Sequence, residues 1–321
     1  MLGRREIVAA VGLLAAPMAR AQTEWPSRPV RIIVTFPPGG TTDILARLMA
    51  ERFARATGGA FVVENRAGAG GVIGTDIVAK AAPDGHTLLL TTSGPHGSGP
   101  ALYPAMPFDP MGDFTHLAMI ASPPNVMAAR PDSAYRNVAD VIAAARGGRA
   151  VTYASPGNGT LNHLNGALLA LSAGVTMQHV PYRGAAPAQT ALLAGDVDVM
   201  FDSISSSAPF LRDGRFRGLA SSAPTRIPAF PDLPTFVDQG FPDVVVLSWF
   251  GLSAPRGLPP ALADRLNAMT IAILAEADMA QRLVELGSAP NRMTRAEFAQ
   301  FVEAEIAKWR RVVAAANLRV D

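Results

Sequence analysis

The sequence predicts a two-domain α/β protein, and three observations carry that prediction. Its 321 residues exceed one ordinary domain. Short apolar, β-branched runs alternate with longer segments of helical spacing, the pattern of a doubly wound fold. The alternation comes in two successive series, with strands followed by turns rich in glycine or proline. Composition agrees: with 49% hydrophobic and 17% charged residues, the chain can bury real cores and is far too apolar to be disordered.

The first 21 residues read as an export signal. Arg4 and Arg5 precede a 12-residue apolar run at 7–18, and Ala19-Arg20-Ala21 places small residues where a signal peptidase reads them. That run is too short to span a bilayer, which needs roughly 20 residues. A signal peptide over 1–21, cleaved to leave Gln22 first, is therefore expected in preference to a buried N-terminal helix. Export to the periplasm follows. The paired arginines permit a twin-arginine route, to which Glu6-Ile7-Val8 adds little.

The first series begins at residues 30–36 (VRIIVTF), a continuous β-branched run suited to a parallel strand covered on both faces. Pro37-Pro38-Gly39-Gly40 breaks it, and Thr41-Thr42-Asp43 offers caps for a helix to about 57. Residues 61–64 give a short strand, a glycine-rich turn and helix follow to about 81, and 87–92 form the next strand. The second series has strands at 126–129, 151–154, 177–181 and 197–201, with helices at 160–172 and 185–194. After an apolar run at 244–253 the chain turns helical, with a helix at 259–276. In the last helix Phe298, Phe301, Val302, Ile306, Trp309 and Val313 share one face. The expected division is 23–124 with 248–321 as the first lobe and 125–247 as the second, the C-terminal helices returning to the first.

Charge and motifs exclude several function classes. Removing Arg4, Arg5, Arg20 and Glu6 from 28 basic and 26 acidic residues leaves 25 of each, so the mature chain lacks the basic footprint of a nucleic-acid binder. It has no cysteine for a thiolate metal site, a disulfide or a nucleophile. HExxH, Walker A, EF-hand and GxSxG patterns are absent, and the five histidines are scattered, so neither metal nor cofactor is expected. Gly68-Ala69-Gly70-Gly71-Val72-Ile73-Gly74 has GxGxxxG spacing after the second strand, which suits a close-packed turn better than a dinucleotide site. A serine hydrolase is the alternative, through Ser93 with His96 or Ser155 with His163, but neither serine sits on a nucleophile elbow. An effector domain of a regulator would need a DNA-binding module, and the export signal argues against it.

What recurs is a strand, a glycine-rich turn and a hydroxyl-rich helix start, at 38–43, at 155–160 and more weakly at 182–185. Helix N-termini expose unpaired N–H groups and the positive end of a dipole, so they hold carboxylates or phosphates without a cation. Each contributes roughly 0.3–1 kcal/mol, up to ~2 when partly buried. Converging at the carboxyl ends of strands in two facing domains, they predict a cleft for an anionic small molecule.

Ordered motifs over nearly the whole mature chain resemble the Bug family, the extracytoplasmic solute-binding proteins of tripartite tricarboxylate transporters. They include Trp25-Pro26, the run 34–43 (VTFPPGGTTD), 63–71 (VENRAGAGG), 81–88 (AAPDGHTL), 155–160 (SPGNGT) with His163-Leu164, 180–184 (VPYRG), Gly195-Asp196-Val197-Asp198, Phe201-Asp202 and 249–252 (WFGL) with Ala254-Pro255. The chain departs from many relatives at Gly59-Ala60-Phe61, far from the expected cleft. The resemblance implies a periplasmic-binding-protein-like (Venus flytrap) fold, capture of a carboxylate between the lobes, and delivery to the membrane subunits of the transporter, with the protein acting as a monomer. It also implies ligand contacts from Pro38, Gly39, Gly40, Thr41, Thr42, Thr92 and Ser93 in the first lobe. Ser155, Gly159, Thr160, His163, Tyr182 and Asp202 are implied in the second. Asp43 is better read as a first-turn helix charge. Dicarboxylates, tricarboxylates, amino acids, aromatic acids and nicotinate-like acids all fit a site of this kind.

Overall fold

A computed structural model describes residues 25–103 and 105–315; the expected signal peptide lies outside the described residues. The elements run in chain order as β1 (Val30–Val34), α1 (Thr41–Thr57), β2 (Phe61–Asn65), α2 (Val72–Ala79), β3 (Thr87–Thr92), α3 (Gly99–Leu102), β4 (Phe114–Ala121) and β5 (Asn125–Ala129). There follow α4 (Val138–Arg146), β6 (Thr152–Ser155), α5 (Leu161–Ala173), β7 (Gln178–Pro181), α6 (Ala185–Ala194), β8 (Val199–Ser203), α7 (Ile204–Arg212) and β9 (Arg217–Ser221). The chain ends with β10 (Phe250–Pro255), α8 (Pro260–Ala275), α9 (Ala277–Glu285) and α10 (Arg295–Ala315).

Two five-stranded sheets result, ordered β2-β1-β3-β10-β4 and β7-β6-β8-β5-β9. They share one plan. β1 pairs in parallel with β2 and β3, as β6 does with β7 and β8. The fourth strand of each is antiparallel to both neighbours and reaches its sheet straight after a crossing from the other: β10 between β3 and β4, β5 between β8 and β9. The two crossings lie side by side, joined by a bridge between Pro124 and Leu247.

The apolar run at 244–253 is thus divided. Only its end enters β10, while Val244, Val246 and Trp249 are buried on the return crossing. β4, β9, α4, α7 and α9 are not among the elements expected from sequence. In α7, three serines and an internal Pro209 lower helix propensity, and burial of Ile204 and Ala208 holds the helix instead.

Each sheet has its own core. In the first, Ile32, Val34, Leu88, Leu90 and Leu252 pack against Leu45, Met49 and Phe53 of α1 and Leu266 of α8. In the second, Met127, Tyr153, Val199 and Phe201 pack against Val141 of α4, Leu169 of α5 and Phe236. A smaller cluster spans both: Leu102, Leu161, Leu164 and Val246 gather around Trp309 and Val313 of α10. The last helix therefore touches the second lobe as well as returning to the first.

Candidate functional site

A small cavity lies where the carboxyl ends of the strands in the two sheets face each other. Each lobe contributes through turns that leave a strand. From the first come Phe36 and Gly40 between β1 and α1, Thr41 and Thr42 at the start of α1, Thr92 at the end of β3, and Ser93 and Gly94 after it. From the second come Pro156, Thr160, Leu161 and Asn162 at the start of α5, Ala185 at the start of α6, and Asp202 and Ser203 where β8 enters α7. Ser248, on the return crossing, and Phe250, at the start of β10, complete the lining.

Four helices thus begin at the cavity. Gly40 is the N-cap of α1 and makes no side-chain cap, so the first N–H groups of that helix have no side-chain acceptor from it. Gly184 plays the same part for α6. Among the described residues, no Lys, Arg or His lines the cavity. Two hydroxyls in it, Thr92 Oγ1 and Ser203 Oγ, are buried without any hydrogen-bond partner. A buried polar group left unpaired costs free energy, so these two are candidate donors to a bound acceptor.

Asp202 organises the second lobe from below. It is 2% exposed, and its carboxylate accepts from Ser203 N (2.8 Å), Gln189 Nε2 (2.9 Å), Ser206 Oγ (2.7 Å) and Ser207 Oγ (2.9 Å). Burial pushes this carboxyl above its ordinary value and the donors pull it back. All four partners donate, which is the donor set of an ion. Ser206 Oγ also accepts from Thr41 Oγ1 at 3.3 Å, so the network continues across to the first lobe. A second network supports the α5 side: Asn125 Oδ1 accepts from Asn162 Nδ2 (3.0 Å) and Ser248 Oγ (2.9 Å).

The lobes meet at further points. Ser98 Oγ donates to Gly159 O at 2.8 Å, Tyr103 OH to Asn158 O at 3.2 Å, and Ser205 Oγ to Leu286 O at 2.6 Å. Outside the cavity, a wider opening runs between the Gly68–Gly71 turn and the loops at 156–158 and 181–184. It shares Phe36 and Pro156 with the cavity and so adjoins it.

Of the residues expected from sequence, Gly40, Thr41, Thr42, Thr92, Ser93, Thr160 and Asp202 come together here. Others stand back. Pro38 and Gly39 are exposed at the apex of their turn, and the Gly39 N–H donates to Asp43 Oδ2 at 3.2 Å. Asp43 itself pairs with Arg47 and serves α1 as a first-turn charge. Ser155 is tied beneath its loop, accepting the Gly157 N–H at 3.2 Å with Oγ 2.7 Å from His179 Nε2. Gly159, at φ +73°, lies behind the helix start against the Tyr103 ring. His163 stacks on His179 with ring centroids 3.9 Å apart. Tyr182 lines the adjoining opening. Thr160 reaches the cavity, yet its hydroxyl is occupied as the α5 cap, accepting His163 N–H at 3.3 Å and donating to Gly157 O at 2.8 Å. Residues missed from sequence include Phe36, Asn162, Ser203, Ser206 and Ser248. The run Ser203-Ile204-Ser205-Ser206-Ser207 after a strand repeats the hydroxyl-rich helix start without a glycine, and that was the available signal.

The hydrolase alternative finds no support. His96 is fully buried with both ring nitrogens unpaired, so it relays nothing to Ser93. The Ser155–His179 pair has no carboxylate bonded to its histidine among the described residues.

The histidines do bear on acid stability. Burial pushes His163 down to about 4, and burial together with the neighbouring His163 pushes His179 down to about 3. Because both folded-state values fall below the ordinary 6.5, the unfolded chain takes up protons first as pH drops. Stability is therefore complete above about pH 7 and is lost progressively from about 6.5 towards 3. Thermal melts should show the midpoint falling across that window, and His179→Gln should flatten the fall. An equal slope in the variant would assign the effect elsewhere.

Two lobes, a cavity at the facing strand ends and an uncatalytic set of donors define a binding protein of the periplasmic-binding-protein fold. The chain belongs to the tripartite tricarboxylate transporter family of receptors, whose family model matches residues 45–318. Three similar solved structures agree. Rpa4515 of R. palustris, solved with adipate, is 36% identical, with a TM-score of 0.90 over 92% of this chain and 99% of its own. The periplasmic binding protein BugD is 32% identical, with a TM-score of 0.87 over 92% and 99%. MatC of Rhodopseudomonas palustris, with bound malate, is 35% identical, with a TM-score of 0.86 over 90% and 100%. This protein is accordingly a solute-binding receptor and not an enzyme. No helix among its described residues is long and apolar enough to cross a membrane.

Proposed function

We propose that this protein captures a small carboxylate in the periplasm and presents it to the membrane subunits of a tripartite tricarboxylate-type transporter. In this reading, residues 1–21 direct export and are removed, and the mature chain works as a monomer. Residues 23–124 with 248–321 move against 125–247 about the paired crossings at Pro124 and Leu247, closing on the ligand. One observation carries the reading: helix starts from both lobes meet at a cavity that holds two buried, unpartnered hydroxyls and no cationic side chain. Two similar structures contain carboxylic acids, adipate and malate, which supports the same ligand class here.

Thermal unfolding of the mature chain against malate, adipate, citrate, glutamate, benzoate, hexanoate and nicotinate tests it. A ligand at a hundredfold excess over its Kd adds about 2.7 kcal/mol of stability. At least one acid should raise the melting temperature accordingly, while its amide or methyl ester should not. No response to any acid would overturn the reading.

A further inference from the structure

We propose that Ser98 and Tyr103 are positioning residues for ligand binding: from the first lobe they grip the turn that starts α5, and so couple lobe closure to the geometry of the cavity. The inference rests on the receptor reading and deepens it.

The grip falls on two successive carbonyls. Ser98 Oγ donates to Gly159 O at 2.8 Å, and Tyr103 OH donates to Asn158 O at 3.2 Å. Both acceptors lie in the turn that leads into α5, where Thr160, Leu161 and Asn162 line the cavity. Within the second lobe the Gly159 N–H donates to His163 Nδ1 at 3.3 Å, and the Thr160 hydroxyl to Gly157 O. Those ties fix the turn on its own helix. Where it stands against the first lobe is set by the two first-lobe hydroxyls.

Each donor reaches the turn from a segment tied to the site or to the junction of the lobes. Ser98 lies one helical turn beyond Gly94, which lines the cavity. The Tyr103 ring packs on the cluster around Trp309 that spans both lobes, and its hydroxyl extends to the edge of the wider opening, where Gly70 meets Asn158. There is no spare room. A Cβ on Gly70 would stand 2.6 Å from Asn158 O and 2.7 Å from Tyr103 OH, and one on Gly159 would stand 2.9 Å from Tyr103 OH.

The grip can also let go without stranding a donor. Ser98 has one hydroxyl proton and a second acceptor in reach, Gly94 O in its own lobe at 3.4 Å, to which it can turn when the lobes part. Tyr103 is half-buried beside the opening, so water can replace Asn158 O. A contact with an alternative on each side favours closure modestly and reversibly, by about two- to tenfold per hydrogen bond. Apparent affinity then scales with the fraction of molecules that are closed.

Spin-label distances decide the matter. The sequence has no cysteine, so Ala56→Cys on α1 and Thr190→Cys on α6, both exposed, give one label pair across the lobes. Without ligand, the distances should include the separation found in this structure. Tyr103→Phe and Ser98→Ala should each deplete that component, and Gly70→Ala, which wedges the same contact from outside the cavity lining, should remove it. The seven acids named above are then titrated by calorimetry into the unlabelled proteins. Any acid bound by the wild type should bind about two- to tenfold more weakly to Tyr103→Phe and to Ser98→Ala, and more weakly still to the double variant. A lower melting temperature with unchanged separations and affinity would give these residues a structural role only and overturn the inference. So would a wild type that never reaches the short separation without ligand. Either result leaves the receptor reading intact if an acid binds, whereas silence from all seven acids overturns both.

Discussion

Asp202→Ala is expected to lower folding stability by about 3–5 kcal/mol and to abolish ligand binding with it. The carboxylate is the shared acceptor of Ser203 N, Gln189 Nε2, Ser206 Oγ and Ser207 Oγ, each on a residue no more than 5% exposed. Removing it strands four donors where water cannot replace it, and each stranded buried donor costs on the order of 1–3 kcal/mol before relaxation. Rotation of the two serine hydroxyls recovers part of that cost. The start of α7 then loses its anchor, and Ser206 loses the geometry that lets it accept from Thr41 across the lobes. Denaturant unfolding should show a lower midpoint at unchanged slope. Asp202→Asn should be milder, because its amide oxygen still serves the three donors on Oδ2 and only the Ser203 N–H meets an NH2 group. A loss below about 1 kcal/mol in the alanine variant would mean the cluster is not a stability hub.

Gly40→Leu should do the opposite: leave the fold nearly intact and weaken ligand binding by about a hundredfold or more. Gly40 has φ −84°, a conformation open to any residue, so the backbone itself is not strained by a side chain. Leucine in place of glycine as the α1 N-cap costs at most about 1 kcal/mol. A Cβ placed there lies 3.6 Å from Ala185 Cβ, at the start of α6 in the facing lobe. Gly40 lines the cavity, so the next three carbons extend into it or between the two helix starts. Either route keeps α1 and α6 from converging on one anion, and about 2.7 kcal/mol corresponds to a hundredfold in Kd. Gly40→Ala is the graded control, since 3.6 Å between methyl carbons is ordinary contact and affinity should fall only slightly. Calorimetry on both variants, with thermal melts to confirm folding, checks the pair. Normal affinity in Gly40→Leu would show that the ligand sits elsewhere or that closure of this seam is unnecessary.

Much of the site was legible because its parts are local. Thr41 and Thr42 follow a β-branched strand and a Pro-Pro-Gly-Gly break, and Thr92-Ser93 follow another strand, so position after a strand already points to the carboxyl edge of a sheet. Thr160 announced a helix start correctly, but sequence could not tell that its hydroxyl would be consumed by the His163 N–H and Gly157 O. Pro38 and Gly39 stand back from the cavity for a related reason: a motif marks a turn, not which residues of that turn face inward. Ser203 escaped notice because its hydroxyl run lacks the glycine that flags the other turns. Its importance comes from having no partner, a property that belongs to the folded surroundings and not to the residue.

By itself, the sequence determined the local half of this protein. Continuous apolar runs such as 87–92 dictate buried strands, glycine and proline end them, and hydroxyl-rich starts open helices, since each effect acts over a few neighbouring residues. The tertiary structure alone decided how those pieces share a site. It set β10 antiparallel between β3 and β4, where Thr91 and Ser253 hydrogen-bond 162 residues apart. It also placed Asp202 under four donors and brought Gly40 against Ala185. The physical reason is separation along the chain. Propensity and capping are fixed within a turn or two, whereas pairing, burial and desolvation depend on what distant segments deliver to the same point.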